Sequence, residues 1–172
     1  MSEMLEIVNE RGEVVGTASR SECHRNPELT HCTAHVVVWS SSGQLLLQKR
    51  SVNKDMFPGK WDTAVGGHLE PGESYEAAAA RELEEELGIG LASVDEIRHL
   101  FDMSVRHQME SERVRVFRII HDGPFFPPAQ EIEELRFWSV EALTRHMNNG
   151  TFTPGLDAEL ARILPQQDAA NR

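Results

Sequence analysis

The spacing of apolar positions along the chain changes period several times, and each change predicts an element. Leu5 to Val8 and Glu13 to Thr17 flank the turn segment Asn9 to Gly12, which predicts a hairpin over about 4–18. Ser19 to Leu29 reads as a short helix or loop. Ala34 to Trp39 is a β-branched apolar run, Ser40 to Gly43 a turn, and Leu45 to Arg50 the returning strand; both strands read as central. Ser51 to Lys60 is a loop carrying Phe57-Pro58-Gly59, and Trp61 to Val65 a short strand broken by Gly66-Gly67. From Ser74 the period becomes helical and runs to Leu87. Leu83 and Leu87 lie on one face, and Gly88 stops the helix. Strands follow around His99 to Val105, Val114 to Ile120 and Leu135 to Val140. Helices near Glu141 to Met147 and Leu156 to Leu164 close the pattern, ahead of a frayed tail over about 165–172.

These elements predict an α/β fold, a mixed β-sheet with helices on both faces, and one domain over residues 1–172. Composition then narrows the function. With 28 acidic against 17 basic residues the net charge is -11, which repels nucleic acid and anionic membrane. A small diphosphate binds such a surface only if a divalent metal first neutralises the acids. No apolar run approaches the roughly 20 residues that span a bilayer, and Met1 to Glu6 lacks a secretory pattern, so a cytoplasmic location is expected. Two cysteines, Cys23 and Cys32, are too few for a disulfide scaffold and match no common zinc module.

The chemistry sits between Gly67 and Ile89. Glu82, Glu85 and Glu86 (i, i+3, i+4) project from one helix face. Like charges at that spacing repel unless something positive lies among them. Oxygen-only ligands suit Mg2+ or Mn2+. The stretch satisfies every fixed position of the pattern G-x5-E-x7-R-E-U-x-E-E-x-G-U, where U is aliphatic. By average residue usage, a chance match is roughly one in ten million.

That pattern is the signature box of the Nudix hydrolases, which the chain resembles over most of its length. The resemblance implies an α/β/α sandwich with the box as a loop-helix-loop. It also implies hydrolysis of a nucleoside diphosphate derivative or related small diphosphate, and it allows a homodimer. By the same resemblance Glu82, Glu85, Glu86 and the Gly67 carbonyl bind metal. Glu85 or Glu86 orients or deprotonates the water, while Arg81 and Glu73 hold the helix glutamates in place.

The flanks are similar to isopentenyl-diphosphate isomerase, which shares this fold. Gln44 to Arg50, Lys54, Phe57 to Gly59 and Trp61 to His68 carry that likeness. It implies a second metal site at His24, His31, His68, Glu110 and Glu112, and diphosphate binding by Arg50 and Lys54. It breaks at Gly66, where the isomerase has its proton-donating cysteine, and at Gly155, where it has a tryptophan. The isomerase has also abandoned the full acidic box, which this chain retains. The expectation is therefore a metal-dependent pyrophosphohydrolase. An isomerase-like enzyme and a non-catalytic metabolite sensor are the alternatives.

Overall fold

The computed structural model describes residues 3–170. In chain order its elements are β1 (Met4–Val8), β2 (Val14–Ser19), α1 (Arg20–Cys23), β3 (Thr30–Trp39), β4 (Leu45–Arg50), β5 (Trp61–Thr63) and β6 (Val65–His68). There follow α2 (Tyr75–Leu87), β7 (Arg98–Arg106), β8 (Ser111–Ile120), β9 (Ile132–Trp138), α3 (Val140–His146) and α4 (Pro154–Ala170). The chain forms two compact units: one built from residues up to Val36 together with Val65–Ile119, the other from Val37–Ala64 and the residues from Ile120 on. Strand β3 contributes to both.

In the first unit β1 and β2 form an antiparallel hairpin with Glu6 opposite Thr17. Its turn is shaped by Asn9, whose side-chain oxygen accepts from the backbone N–H of Arg11 and of Glu13. Ser19 then caps α1 in a reciprocal box with Glu22. Strand β1 places Ile7 opposite His31 of β3, and β6 runs antiparallel to β3 from Thr33–His68 to Val36–Val65. Strands β7 and β8 form a second hairpin, and β8 also pairs with β3. Leu5, Ile7 and Cys23 pack together with Ala18 and Leu29 against them.

Helix α2 shows why its sequence starts and stops where it does. The Ser74 hydroxyl accepts from the N–H of Ala77, a cap contributing about 1 kcal/mol. At the other end Gly88 takes φ +70, and the N–H groups of Gly88 and Ile89 satisfy the carbonyls of Glu84 and Leu83. Ala78, Ala79, Leu83 and Leu87 are buried, which leaves the glutamates on the other faces.

In the second unit β4 pairs antiparallel with β5 and, over its whole length, with β9. A parallel bridge joins Trp61 to Phe152, so strand pairing is mixed. Trp61, Trp138 and Phe152 meet edge to face, with centroids 5.2 and 5.5 Å apart on either side of Trp138. Leu156, Leu160 and Ile163 of α4 are buried.

Several boundaries differ from the sequence-based reading, each for a local reason. Gly66 and Gly67 do not break a strand but lie inside β6, opposite His35 and Ala34; the interruption falls at Ala64. Strand β3 begins at Thr30 rather than Ala34, which puts His31 on the sheet. Val140 opens α3 rather than ending β9, because Ser139 caps that helix through the N–H of Ala142. The last helix runs past Leu164, through Pro165, to Ala170. Residues 171–172 of the expected tail lie outside the described residues.

Candidate active site

Gly67 and Glu82 are in closest approach. A Cβ on Gly67 would lie 2.0 Å from the Glu82 carboxyl carbon, so only glycine lets the α2 carboxylate lie against the β6 backbone. Beside it, the Arg81 guanidinium distributes its donors widely. Nε and Nη2 form a fork on Glu73 at 3.0 and 2.9 Å. Nη1 donates to Glu82 at 2.7 Å and to Glu85 at 3.3 Å, and Nη2 also reaches the His68 carbonyl at 3.0 Å. Glu86 accepts from the Gly66 N–H at 3.3 Å. The box residues Gly67, Glu73, Arg81, Glu82, Glu85 and Glu86 are thus gathered at the junction of β6 and α2.

Charge at this junction is unbalanced. Arg81 serves three carboxylates, and their contacts hold its own pKa above the usual range, with Glu73 the largest cause. The Glu73 carboxyl is held below its ordinary value by the same pair. Burial nevertheless pushes the Glu82 carboxyl up, outweighing Arg81. A partly desolvated, under-neutralised carboxylate beside a second one is a place where a further positive charge fits. The donor set is all oxygen, which suits a hard dication.

A second cluster lies in the same unit. His24 follows α1 as its C-terminal cap, His31 sits on β3, and His68 ends β6. Their rings lie 5.0 to 6.0 Å apart, and the Nε2 atoms of His24 and His68 are 3.3 Å from each other. Glu110 and Glu112 come from the β7–β8 turn and the start of β8. A Glu110 oxygen lies 3.3 Å from His24 Nε2, and a Glu112 oxygen 3.7 Å from His31 Nε2. His31 has no solvent exposure, and its Nε2 has no hydrogen-bond partner among the described residues. Burial drives its pKa down to about 3 and that of His24 in the same direction, which favours the neutral imidazole that a metal ligand requires.

The candidate donor atoms of His24, His31 and His68 lie within 4.8 Å of one another, and so do those of His31, Glu110 and Glu112. Ligand atoms that share one dication through bonds of about 2.1 Å lie about 3.4 Å apart in a tetrahedral site, and the 3.3 Å between the Nε2 atoms of His24 and His68 is of that size. A buried nitrogen without a hydrogen-bond partner, facing acidic oxygens, fits a cation.

Two further residues lie beside this cluster. Glu3 places a carboxylate oxygen 3.4 Å from His68 Nδ1, and His107 Nε2 lies 3.0 Å from Glu110. Neither carries a local signature. Both contacts arise only when distant or turn-separated segments are folded together.

Arg50 and Lys54 belong to the second unit. Arg50 pairs with Asp62 at 3.1 Å and donates from Nε to the Met56 carbonyl at 2.9 Å. Asp62 also accepts from the Thr153 hydroxyl at 2.8 Å. Lys54 pairs with Glu131 at 2.9 Å. Trp39, Trp61 and Trp138 are buried.

Comparison with known proteins gives a consistent picture. Residues 29–159 match the NUDIX domain family. An isopentenyl-diphosphate Delta-isomerase of Nocardia farcinica is 35% identical, covering 98% of this chain and 96% of that protein. An uncharacterized Nudix hydrolase of Pseudomonas aeruginosa is also 35% identical, covering 95% of this chain and 86% of its own length. Among solved structures, DR0079 from Deinococcus radiodurans superposes with a TM-score of 0.79 at 28% identity, over 93% of this chain and 98% of that one. A MutT protein from Methanosarcina mazei, at 22% identity and a TM-score of 0.67, shares the fold.

Proposed function

From the premise that this chain belongs to the Nudix family, has its α/β fold and is a Nudix-type hydrolase, we propose that it cleaves, with a divalent metal, the phosphoanhydride bond of a nucleoside diphosphate derivative or related small diphosphate. The observation that carries the reading is the packing of Glu82 against Gly67, with Arg81 shared among Glu73, Glu82 and Glu85. Glu82, Glu85, Glu86 and the Gly67 carbonyl would hold Mg2+ or Mn2+. A cation there supplies charge neutralisation for the diphosphate and a lowered pKa for water.

The chain's own residues do the rest. Arg81 and Glu73 fix the orientation of the α2 carboxylates, which sets how little reorganisation the reaction requires. Glu85 or Glu86 would orient the attacking water or accept its proton. Arg50 and Lys54, which the likeness to the isomerase assigns to diphosphate binding, pair here with Asp62 and Glu131. His24, His31, His68, Glu110 and Glu112 would hold a second cation. Mixed imidazole and carboxylate donors suit a transition-metal dication such as Mn2+ better than Mg2+. Cys23 and Cys32 are free thiols, in keeping with a cytoplasmic protein. No described helix is long and apolar enough to cross a membrane.

A second reading, an isomerase acting on isopentenyl diphosphate, is favoured by the histidine cluster and by the name of the Nocardia relative. Gly66 speaks against it, because the position where the isomerase carries a cysteine has no side chain to move a proton. Incubation with isopentenyl diphosphate separates the two readings. The allylic isomer would establish isomerisation, whereas phosphate release from a nucleotide, sugar or prenyl diphosphate establishes hydrolysis.

A further inference from the structure

We propose that Glu3, ahead of the first strand, is a positioning residue that orients His68 for the cation held by the histidine cluster. The inference rests on the cation reading given above and assigns a residue outside the cluster. His68 presents Nε2 to His24 and Nδ1 to Glu3, whose oxygen is 3.4 Å away. A proton on Nδ1 shared with that carboxylate leaves Nε2 as the lone-pair donor, which is the tautomer a ligand needs.

Glu3 is itself held in place. Its other oxygen receives the Arg20 guanidinium at 3.0 Å, and its backbone carbonyl accepts from the Arg20 N–H at 2.9 Å. Arg20 opens α1, the short helix that delivers His24. The His68 backbone is pinned separately, its carbonyl held by Arg81. One histidine is therefore fixed at the ring by Glu3 and at the main chain by the acidic box.

The test is a Co2+ titration followed through the hyperfine-shifted imidazole N–H resonances, which only histidine ligands produce. Glu3→Ala should weaken Co2+ binding by about 10- to 100-fold, the range for losing a carboxylate behind a ligating histidine. The melting temperature of the metal-free protein should hold. Glu3→Gln, which keeps the shape and an acceptor oxygen, should recover part of the affinity. Equal affinity in Glu3→Ala and the wild type overturns the role of Glu3 while leaving the cation site standing. Wild-type protein that shows no shifted imidazole resonance overturns the cation reading and this inference together. If Glu3→Ala fails to fold, the wild type still decides. A shifted, exchangeable proton on His68 Nδ1 is expected, and coordination through Nδ1 instead would refute the proposal.

Discussion

Arg81 donates from Nη2 to the main-chain carbonyl of His68 at 3.0 Å, so one guanidinium ties the helix bearing the acidic box to the strand bearing a histidine of the second cluster. That bond lies one residue beyond Gly67, whose missing side chain leaves room for Glu82. Arg81 thus governs the placement of both groups, and the consequences can be measured.

Replacing Arg81 by alanine leaves the Glu73 and Glu82 carboxylates without their principal counter-charge. The loss should destabilise the protein by about 1–3 kcal/mol and lower turnover. Arg81→Lys restores the charge but not the two-pronged geometry on Glu73, so it should recover stability more than rate. Chemical denaturation and steady-state kinetics on the same preparations check this. Full activity in Arg81→Lys would show that the fork is dispensable.

Gly67→Ala tests the close approach directly. The new methyl group would overlap the Glu82 carboxylate, the far end of a side chain that can swing away. Melting should change little, while turnover should fall about 100-fold or more as the carboxylate leaves its place. A variant with normal kinetics would mean that the position of Glu82 is unimportant.

An ion pair outside the site gives a pH prediction. Arg115 holds Asp102 in a fork at 2.8 and 2.9 Å, with His99 a further partner, and draws its pKa down to about 2. A carboxyl lower in the folded than in the unfolded chain contributes stability that is fully present above its unfolded value of about 4. That contribution is lost as pH falls through the folded value. Asp102→Asn should therefore melt below the wild type near neutrality, and the gap should close between about pH 4 and pH 2. A gap that persists at pH 2 would contradict the assignment.

The sequence exposed some parts of this molecule far better than others. The glutamates of α2 were legible because helical spacing fixes which side chains share a face, and Gly88 marked the helix end by its backbone freedom. His24, His31, His68, Glu110 and Glu112 could be named by resemblance, but no local pattern reveals that they converge. Their meeting depends on β3 pairing with both β6 and β8. The glycine pair at 66–67 reads locally as a strand break, because the usual meaning of glycine is a turn. Here it answers to a neighbour, Glu82, that local sequence cannot display. Glu3 stood at a chain end with nothing to distinguish it until His68 was placed beside it.

The histidine cluster should reveal itself by metal content. Protein loaded with Mn2+ or Zn2+ and then desalted should retain metal, and His31→Ala should lose it, because His31 is the most deeply buried of the five candidate ligands. Elemental analysis measures this. Equal retention by the variant would place the metal elsewhere.

The central claim is metal-dependent cleavage of a diphosphate by the α2 carboxylates. Its most direct test is phosphate release from a panel of nucleoside, sugar and prenyl diphosphates, with Mg2+, Mn2+ or chelator, by the wild type, Glu85→Gln and Glu86→Gln. The expected result is turnover of one substrate class only with metal, abolished in at least one of the two variants while both remain folded. Undiminished turnover in both variants, or in chelator, would contradict the account.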